Sequence, residues 1–462
     1  MGKKLIHRAI FYGGFVFIIP VWFIYFSCIV IAAQPKDSHK DYLAIVNRLG
    51  IAGRPEISNA KTNYEKSFQL MVEPPPSLSL SDIKTWPEDL PIQKRKELTK
   101  WVDDNADALM ELELGSKKSY CWFDYQDDGG FMLGVYPSLD LRKARLMVYT
   151  IRARANLRAI ESEFESAFYD ILTCYRFGQH LMGPKDITEQ LVAVAIRGVA
   201  TQTALRILDH KQVPIGVLTK FQKKLQSDLD PNSFTIDITF EEFSICDFIQ
   251  RVYVEDANGD TKVSDKFVEA ANDIPSDLIR EVIQDVNEKD MKAWADIINL
   301  GRTQTLDTID ALFKYLKKVL TKAPMELAEC KDVDRRIDEI IGKKYFLKQV
   351  INPYQKVFEV AARAKVESEA LITIIAIKRY KAVMGEYPPG LETLVTSGYM
   401  KKIPLDPYSN KPLRYVGSSD QFKLYSFGKD FDDDGGARSN WGQDEQGGDQ
   451  VFWPVKHEED KQ

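Results

Sequence analysis

Apolar residues recur at helical spacing along most of this chain. Leu157, Ile160, Phe164, Phe168, Ile171 and Tyr175 follow one another in steps of three and four, which paints one stripe on a helix. Gly178 and Met182 take the next two positions on that stripe. The spacing predicts helix from Leu139 to about His210, interrupted at Gly183-Pro184. Asp186 or Thr188 caps the segment through Leu191, Val194, Val199 and Leu205. Pro214 opens a further helix to Leu229, which Asp230-Pro231 closes. Leu98, Trp101, Val102, Ala106, Leu109 and Leu112 give one face to a helix over Ile92–Gly115, and Phe240, Phe243, Phe248 and Tyr253 line another. Helices are expected again from Ser264 to Leu320 with a break at Pro275, over Met325–Leu347, and over Tyr354–Met384. No 34-residue repeat is present, so the pattern reads as a multi-helix bundle or irregular solenoid.

The pattern changes near the end. Leu371, Ile374, Ile375, Ile377, Tyr380 and Val383 keep helical spacing until Gly385, and Tyr387-Pro388-Pro389-Gly390 cannot continue the helix. A short helical turn over Leu391–Val395 follows, and Asn410 stands where a turn needs positive φ. Leu413–Val416 and Phe422–Tyr425 alternate like two antiparallel strands around the loop Gly417–Asp420, and Gln450–Trp453 supplies a third. Between the second and third strands lies an acidic, glycine-rich loop, Ser426-Phe-Gly-Lys-Asp-Phe-Asp-Asp-Asp-Gly-Gly436.

This helix, with Tyr387-Pro388, Leu391, Leu394, Pro404, Asp406-Pro407, Tyr415, Tyr425-Ser426, Gly428, Asp430, Gly435-Gly436 and Gly448-Asp449, resembles the globular domain of the major pseudopilin of type II secretion systems. The resemblance covers roughly the last 100 residues. The whole chain more loosely resembles signal-anchored bacterial envelope proteins of unknown function. The expected fold class is therefore mainly α, with a transmembrane helix first and a small α+β pseudopilin-like module last. The expected divisions are 1–34, an extended approach over 35–91, a helical domain over 92–353, the module over 354–453 and a polar tail over 454–462.

The resemblance implies calcium in the final loop, and the residue types agree. Ca2+ takes six to eight oxygens from carboxylates, carbonyls and water on a flexible loop. Asp430-x-Asp432-x-Asp434-Gly435 has the first half of an EF-hand spacing, but Trp441 stands where that loop needs its bidentate Glu. The expected ligands are Asp430, Asp432 and Asp434, with Asp449 returning from the far side. The alternative is a solvated acidic turn. Asp124–Gly130 and Asp256-Ala-Asn258-Gly-Asp260 read as turns.

Ala9–Ala33 carries no charged side chain and is long enough to span a bilayer. Lys3, Lys4 and Arg8 precede it, which favours a cytoplasmic N-terminus and a periplasmic bulk, anchored in a bacterial inner membrane. A cleaved signal peptide is the competing reading. Pseudopilins instead join their hydrophobic helix directly to the globular domain behind a peptidase site, and no such site is present here. Prepilin processing is therefore not expected.

The net charge of −6 argues against nucleic acid as a partner, so an envelope protein is the expected one. Neither Cys-x-x-Cys, His-Glu-x-x-His, Gly-x-Ser-x-Gly, a P-loop nor Gly-x-Gly-x-x-Gly occurs. His180 and His210 lie in helical context and read as structural residues. Cys121, Cys174, Cys246 and Cys330 would face an oxidising compartment, yet apolar neighbours argue equally for buried thiols, and no pairing follows. The expected function is a non-catalytic scaffold or interaction protein of the envelope. The alternative is an envelope-polymer hydrolase with a carboxylate pair in the helical domain.

Overall fold

The computed structural model describes residues 40–126, 139–229, 234–255, 261–263, 301–320, 332–342, 354–439 and 447–456, with the single positions Met132, Leu327 and Leu347. The apolar segment Ala9–Ala33 lies outside the described residues, except for a two-residue antiparallel pairing of Phe11–Tyr12 with Phe15–Val16. Asp256–Asp260 and the helix expected from Ser264 also lie outside them, up to residue 300.

Among the described residues the chain is mainly helical with small antiparallel sheets. The stretch expected as an extended approach folds instead into α1 (Tyr42–Ile51), α2 (Lys61–Leu70) and α3 (Leu80–Lys84). The reason is local. Tyr64 and Phe68 share one face of α2 and are buried, and Ser79 and Asp82 form a capping box that starts α3. The helix expected over Ile92–Gly115 is two: α4 (Ile92–Asp104) and α5 (Ala106–Ser116). Asn105, buried between them, binds Val72 through both side-chain ends.

The stripe from Leu157 to Tyr175 also crosses a break. Helix α6 (Leu141–Ile160) ends in a three-residue turn, and α7 (Phe164–His180) returns beside it. Ser162 takes φ 66° in that turn, and the amide of Glu163 bonds the carbonyl of Arg158. The turn is short enough to keep the apolar residues of both helices on the common interface, so hydrophobic spacing alone does not reveal it. Helix α8 (Ile187–His210) begins at Asp186, whose side chain accepts from the amide of Thr188 at 2.7 Å. By length and composition α8 would cross a membrane, but it lies against α6 and α7 with most of its surface inside the protein. Helices α9 (Ile215–Asp228), α10 (Thr239–Val252), α11 (Arg302–Leu320) and α12 (Val333–Ile341) follow, with Tyr253–Glu255 (β1) and Thr261–Val263 (β2) paired antiparallel after α10.

Helix α13 (Tyr354–Met384) ties these parts together. Its first turns, from Tyr354 to Ala364, share a core with α10, α11 and α12. From Val366 to Tyr380 it enters a second, larger core with α7, α8 and α9. Gly385, at φ 81°, ends it as expected. Helix α14 (Leu391–Thr396) follows, then the two-residue pair β3 (Leu405–Asp406) and β4 (Lys411–Pro412), and the sheet β5 (Arg414–Gly417), β6 (Phe422–Ser426) and β7 (Gln450–Trp453) in that order, all antiparallel. Asn410 has φ 54° in the β3–β4 turn, as its position required. Leu424 and Phe452 join the core that contains Leu371 and Ile374.

Two of the titratable groups buried in this core are held by named partners. Asp170 is fully buried on α7 and accepts from Arg154 at 2.6 Å and Arg158 at 2.8 Å. Burial pushes its carboxyl up, and the two guanidiniums oppose that. His180 is also buried. Its Nδ1 accepts from the Tyr64 hydroxyl at 2.6 Å and its Nε2 donates to the Lys118 carbonyl at 3.0 Å. It is a structural histidine, and burial pushes its pKa down to about 4. A histidine held neutral in the folded state binds fewer protons there than in the unfolded chain, where it titrates near 6.5. Its contribution is therefore intact above pH 6.5 and is lost as pH falls toward 4, by about 3 kcal/mol at the lower end. His180→Gln should flatten this part of the stability–pH curve. Urea unfolding of both proteins between pH 4 and 7 checks it, and parallel curves would contradict it.

Candidate cation-binding loop

The loop between β6 and β7 is set up by one buried carboxylate at its base. Asp406, at the end of β3, accepts four hydrogen bonds: Tyr408 N at 3.0 Å, Ser409 Oγ at 2.9 Å, Ser426 Oγ at 2.7 Å and Phe427 N at 3.1 Å. It thereby fixes the residue at which β6 becomes loop. Tyr408 then meets the ring of Phe431 edge-on at 5.5 Å.

Above this base the loop folds on its glycines. Gly428 has φ 81°, and a Cβ there would lie 2.6 Å from the Gly448 carbonyl oxygen. A Cβ on Gly447 would lie 1.9 Å from Asp430 Oδ2. That close approach lets Asp430 Oδ2 accept from the amide of Gly448 at 2.5 Å. Across the loop, Ser439 N bonds the Asp449 carbonyl at 3.0 Å and Asp449 N bonds the Ala437 carbonyl at 2.7 Å.

The four expected ligands divide by environment. Asp430, Asp432 and Asp434 are exposed, whereas Asp449 is 1% exposed. Among the described residues Asp432 accepts only from its neighbour, the amide of Asp433 at 2.9 Å. Asp449 Oδ2 accepts from the amide of Gly436 at 2.6 Å. Its Oδ1 is buried and has no hydrogen-bond partner among the described residues. Burial pushes the Asp449 pKa up to about 6; the Gly436 and Asp434 amides oppose this, and the charges of Asp433 and Asp434 add to it. Asp433 was not among the expected ligands. It is held by Tyr425 Oη at 3.1 Å and Arg414 Nε at 3.1 Å, which turns it toward the sheet. No three His, Cys, Asp or Glu side chains converge in metal-holding geometry among the described residues. A cation here would rest on Asp449 with backbone carbonyls and water, and the unmet Oδ1 fits such a group.

A second set of carboxylates bears on the hydrolase alternative. Asp186, Glu189 and Glu241 gather at the start of α8. Glu241 Oε1 accepts from the amide of Ile187 at 2.7 Å, and Glu189 accepts from the Tyr125 hydroxyl, which itself accepts from the amide of Asp186 at 3.0 Å. With Asp186 on Thr188 N, these groups satisfy amides that the first turn of a helix leaves unpaired. Burial pushes all three carboxyls up, and the charge of Asp186 pushes Glu241 further. Their geometry is that of an internal helix cap. Glu161, Glu163 and Glu165 sit at the α6–α7 turn and the start of α7.

Searches among known protein families, curated proteins and solved structures return no match to this chain. The site therefore rests on its own geometry. Among the described residues Cys121, Cys174 and Cys246 are free, and burial pushes the Cys121 thiol up to about 12; Cys330 lies outside the described residues.

Two outcomes follow from these contacts. Asp406→Asn replaces an acceptor of four donors with a group that itself donates, and should cost about 3 kcal/mol. The exposed Asp420→Asn should stay within about 0.5 kcal/mol. Denaturant melts compare the two, and equal effects would remove Asp406 from its role. Glu241→Gln tests the internal cap. A carboxyl raised on folding contributes most below its unfolded value and loses that contribution as pH rises. The Gln variant should therefore gain stability over wild type at pH 8 and not at pH 4, and a uniform loss at both would contradict it.

Proposed function

We propose that this protein is a non-catalytic, membrane-anchored component of the bacterial envelope whose C-terminal part is a pseudopilin-like module stabilised by Ca2+. In this reading Ala9–Ala33 is the anchor, the helices present a surface to an envelope protein, and the β6–β7 loop holds the cation. The supporting observation is Asp449: a buried carboxylate with one oxygen satisfied by Gly436 N and the other without a hydrogen-bond partner among the described residues. Leaving such an oxygen unmet costs free energy, and a hard cation with oxygen ligands removes that cost. The helix–α14–sheet order and the Asp406 base further support the likeness to a pseudopilin module.

A cation that binds only the folded loop stabilises it by mass action, about 2.7 kcal/mol at one hundred times the dissociation constant. The full chain in detergent micelles should bind one Ca2+ by calorimetry and melt higher with it. Asp449→Ala should abolish both effects and Asp430→Ala should weaken them, while Asp420→Ala on the β5–β6 hairpin should leave them unchanged. Absence of any calcium-dependent shift in the wild type, or an equal loss in the Asp420 control, would overturn the reading.

A further inference from the structure

The loop after α1 displays apolar side chains outward on a firm frame. Residues 51–57 are exposed without interruption, and they include Ile51, Ala52, Pro55 and Ile57. Ile57 is 79% exposed and Ile51 40%. The frame is the buried Trp122. Gly50 lies against its indole, where a Cβ would come within 2.0 Å of the ring. Asn59 clamps its backbone, accepting from Trp122 N at 3.0 Å and donating to its carbonyl at 3.1 Å. One residue thus holds both ends of the loop, which brings Ile57 back toward Ile51. Between them Arg54 N bonds the Ile51 carbonyl and Asn59 N bonds that of Glu56, so the path consists of turns. The isoleucines are held at the surface, and burial against an apolar phase removes the cost of exposing them.

Cations flank these side chains. Arg48, one turn before Ile51, and Arg54 are exposed and form no ion pair among the described residues. Arg54 lies over the Tyr120 ring at 5.1 Å, and Lys118 donates to the Ile57 carbonyl at 2.6 Å. Glu56 is the one acid between Arg48 and Ser58, and it accepts from Asn59 at 3.5 Å. Apolar tips with basic residues at their edge match a bilayer interface. There the isoleucines enter the acyl boundary while the guanidiniums stay among anionic headgroups. Reach agrees. Seven residues lead from Ala33 to Lys40 and span at most about 25 Å. Lys40 is itself fixed, since its amide and its carbonyl both bond the Gln250 side chain. From there α1 covers only about 15 Å to Ile51. With Ala9–Ala33 in the bilayer, α1 is tethered near the surface, and one orientation of α1 sets the loop on it.

We propose that the face formed by Ile51, Ile57, Arg48 and Arg54 docks on an anionic lipid surface and fixes the helical part of the chain against the membrane that anchors it. The inference rests on the reading of Ala9–Ala33 as an anchor. It stands apart from the calcium loop, which lies between β6 and β7.

The test is amide hydrogen exchange on the full chain in lipid nanodiscs that hold one chain each, made of phosphatidylcholine with a minority of phosphatidylglycerol. After correction for intrinsic rates, residues 51–57 should exchange at least about tenfold more slowly in wild type than in the double variant Ile51→Asp with Ile57→Asp. Both isoleucines are exposed, so the variant should keep the wild-type melting temperature. Arg54→Gln touches neither isoleucine and should still weaken the protection. Ile92→Asp, at the exposed start of α4, should leave it unchanged. Protection should also fall in discs of phosphatidylcholine alone. Resistance of the chain to alkaline carbonate extraction from vesicles reads the anchor separately. A chain that resists extraction but exchanges residues 51–57 as fast as the double variant, or equally fast with and without the anionic lipid, overturns the docking face and leaves the anchor standing. A chain that is extracted overturns the anchor and the docking with it.

Discussion

Seven consecutive residues, Leu371 to Ile377, are buried together on α13. A helix buried on every side has no solvent face, so it needs protein all round. That requirement organises the molecule. Helices α8 and α9 cover one part of α13, and β6 and β7 cover another. Each enclosed side chain of this size contributes roughly 1.5–3 kcal/mol relative to exposure. The C-terminal sheet, only three short strands, gains much of its stability from this shared core, because a sheet so small has little of its own. Residues far apart in sequence, such as Tyr64 and Phe452, consequently belong to one cluster.

Much of this was legible in the chain, and the failures have physical causes. The end of α13 at Gly385, the αL turn at Asn410 and the three strands follow from local backbone chemistry, which acts within a few residues. The α6–α7 break escaped notice because a three-residue turn left the apolar stripe uninterrupted on both sides. The first helices escaped because the face formed by Tyr64 and Phe68 needed a partner from α5 to declare itself. Tertiary burial decided both cases.

The loop shows the same limit at the level of a site. Acidic residues at alternate positions marked it, and Asp449 was placed at its far side. What no spacing reveals is which carboxylate turns inward. Asp430, Asp432 and Asp434 look equivalent in sequence, yet the glycine contacts at Gly428 and Gly447 leave them exposed and bring Asp449 inside. Asp406 was visible only as part of an Asp-Pro turn, because three of its four donors come from residues whose approach depends on β3 meeting β6 or on the β3–β4 turn.

Three buried carboxylates now differ only in what surrounds them. Asp170 has two guanidiniums, and Asp406 has four hydrogen-bond donors. Asp449 has the Gly436 amide on one oxygen, no hydrogen-bond partner on the other among the described residues, and two further acidic charges beside it. The first two sites are electrostatically closed, since the desolvation of each carboxylate is offset by groups the fold itself supplies. The third is open in the same sense. This asymmetry, more than the number of aspartates, is what the proposal of a cation in the β6–β7 loop rests on.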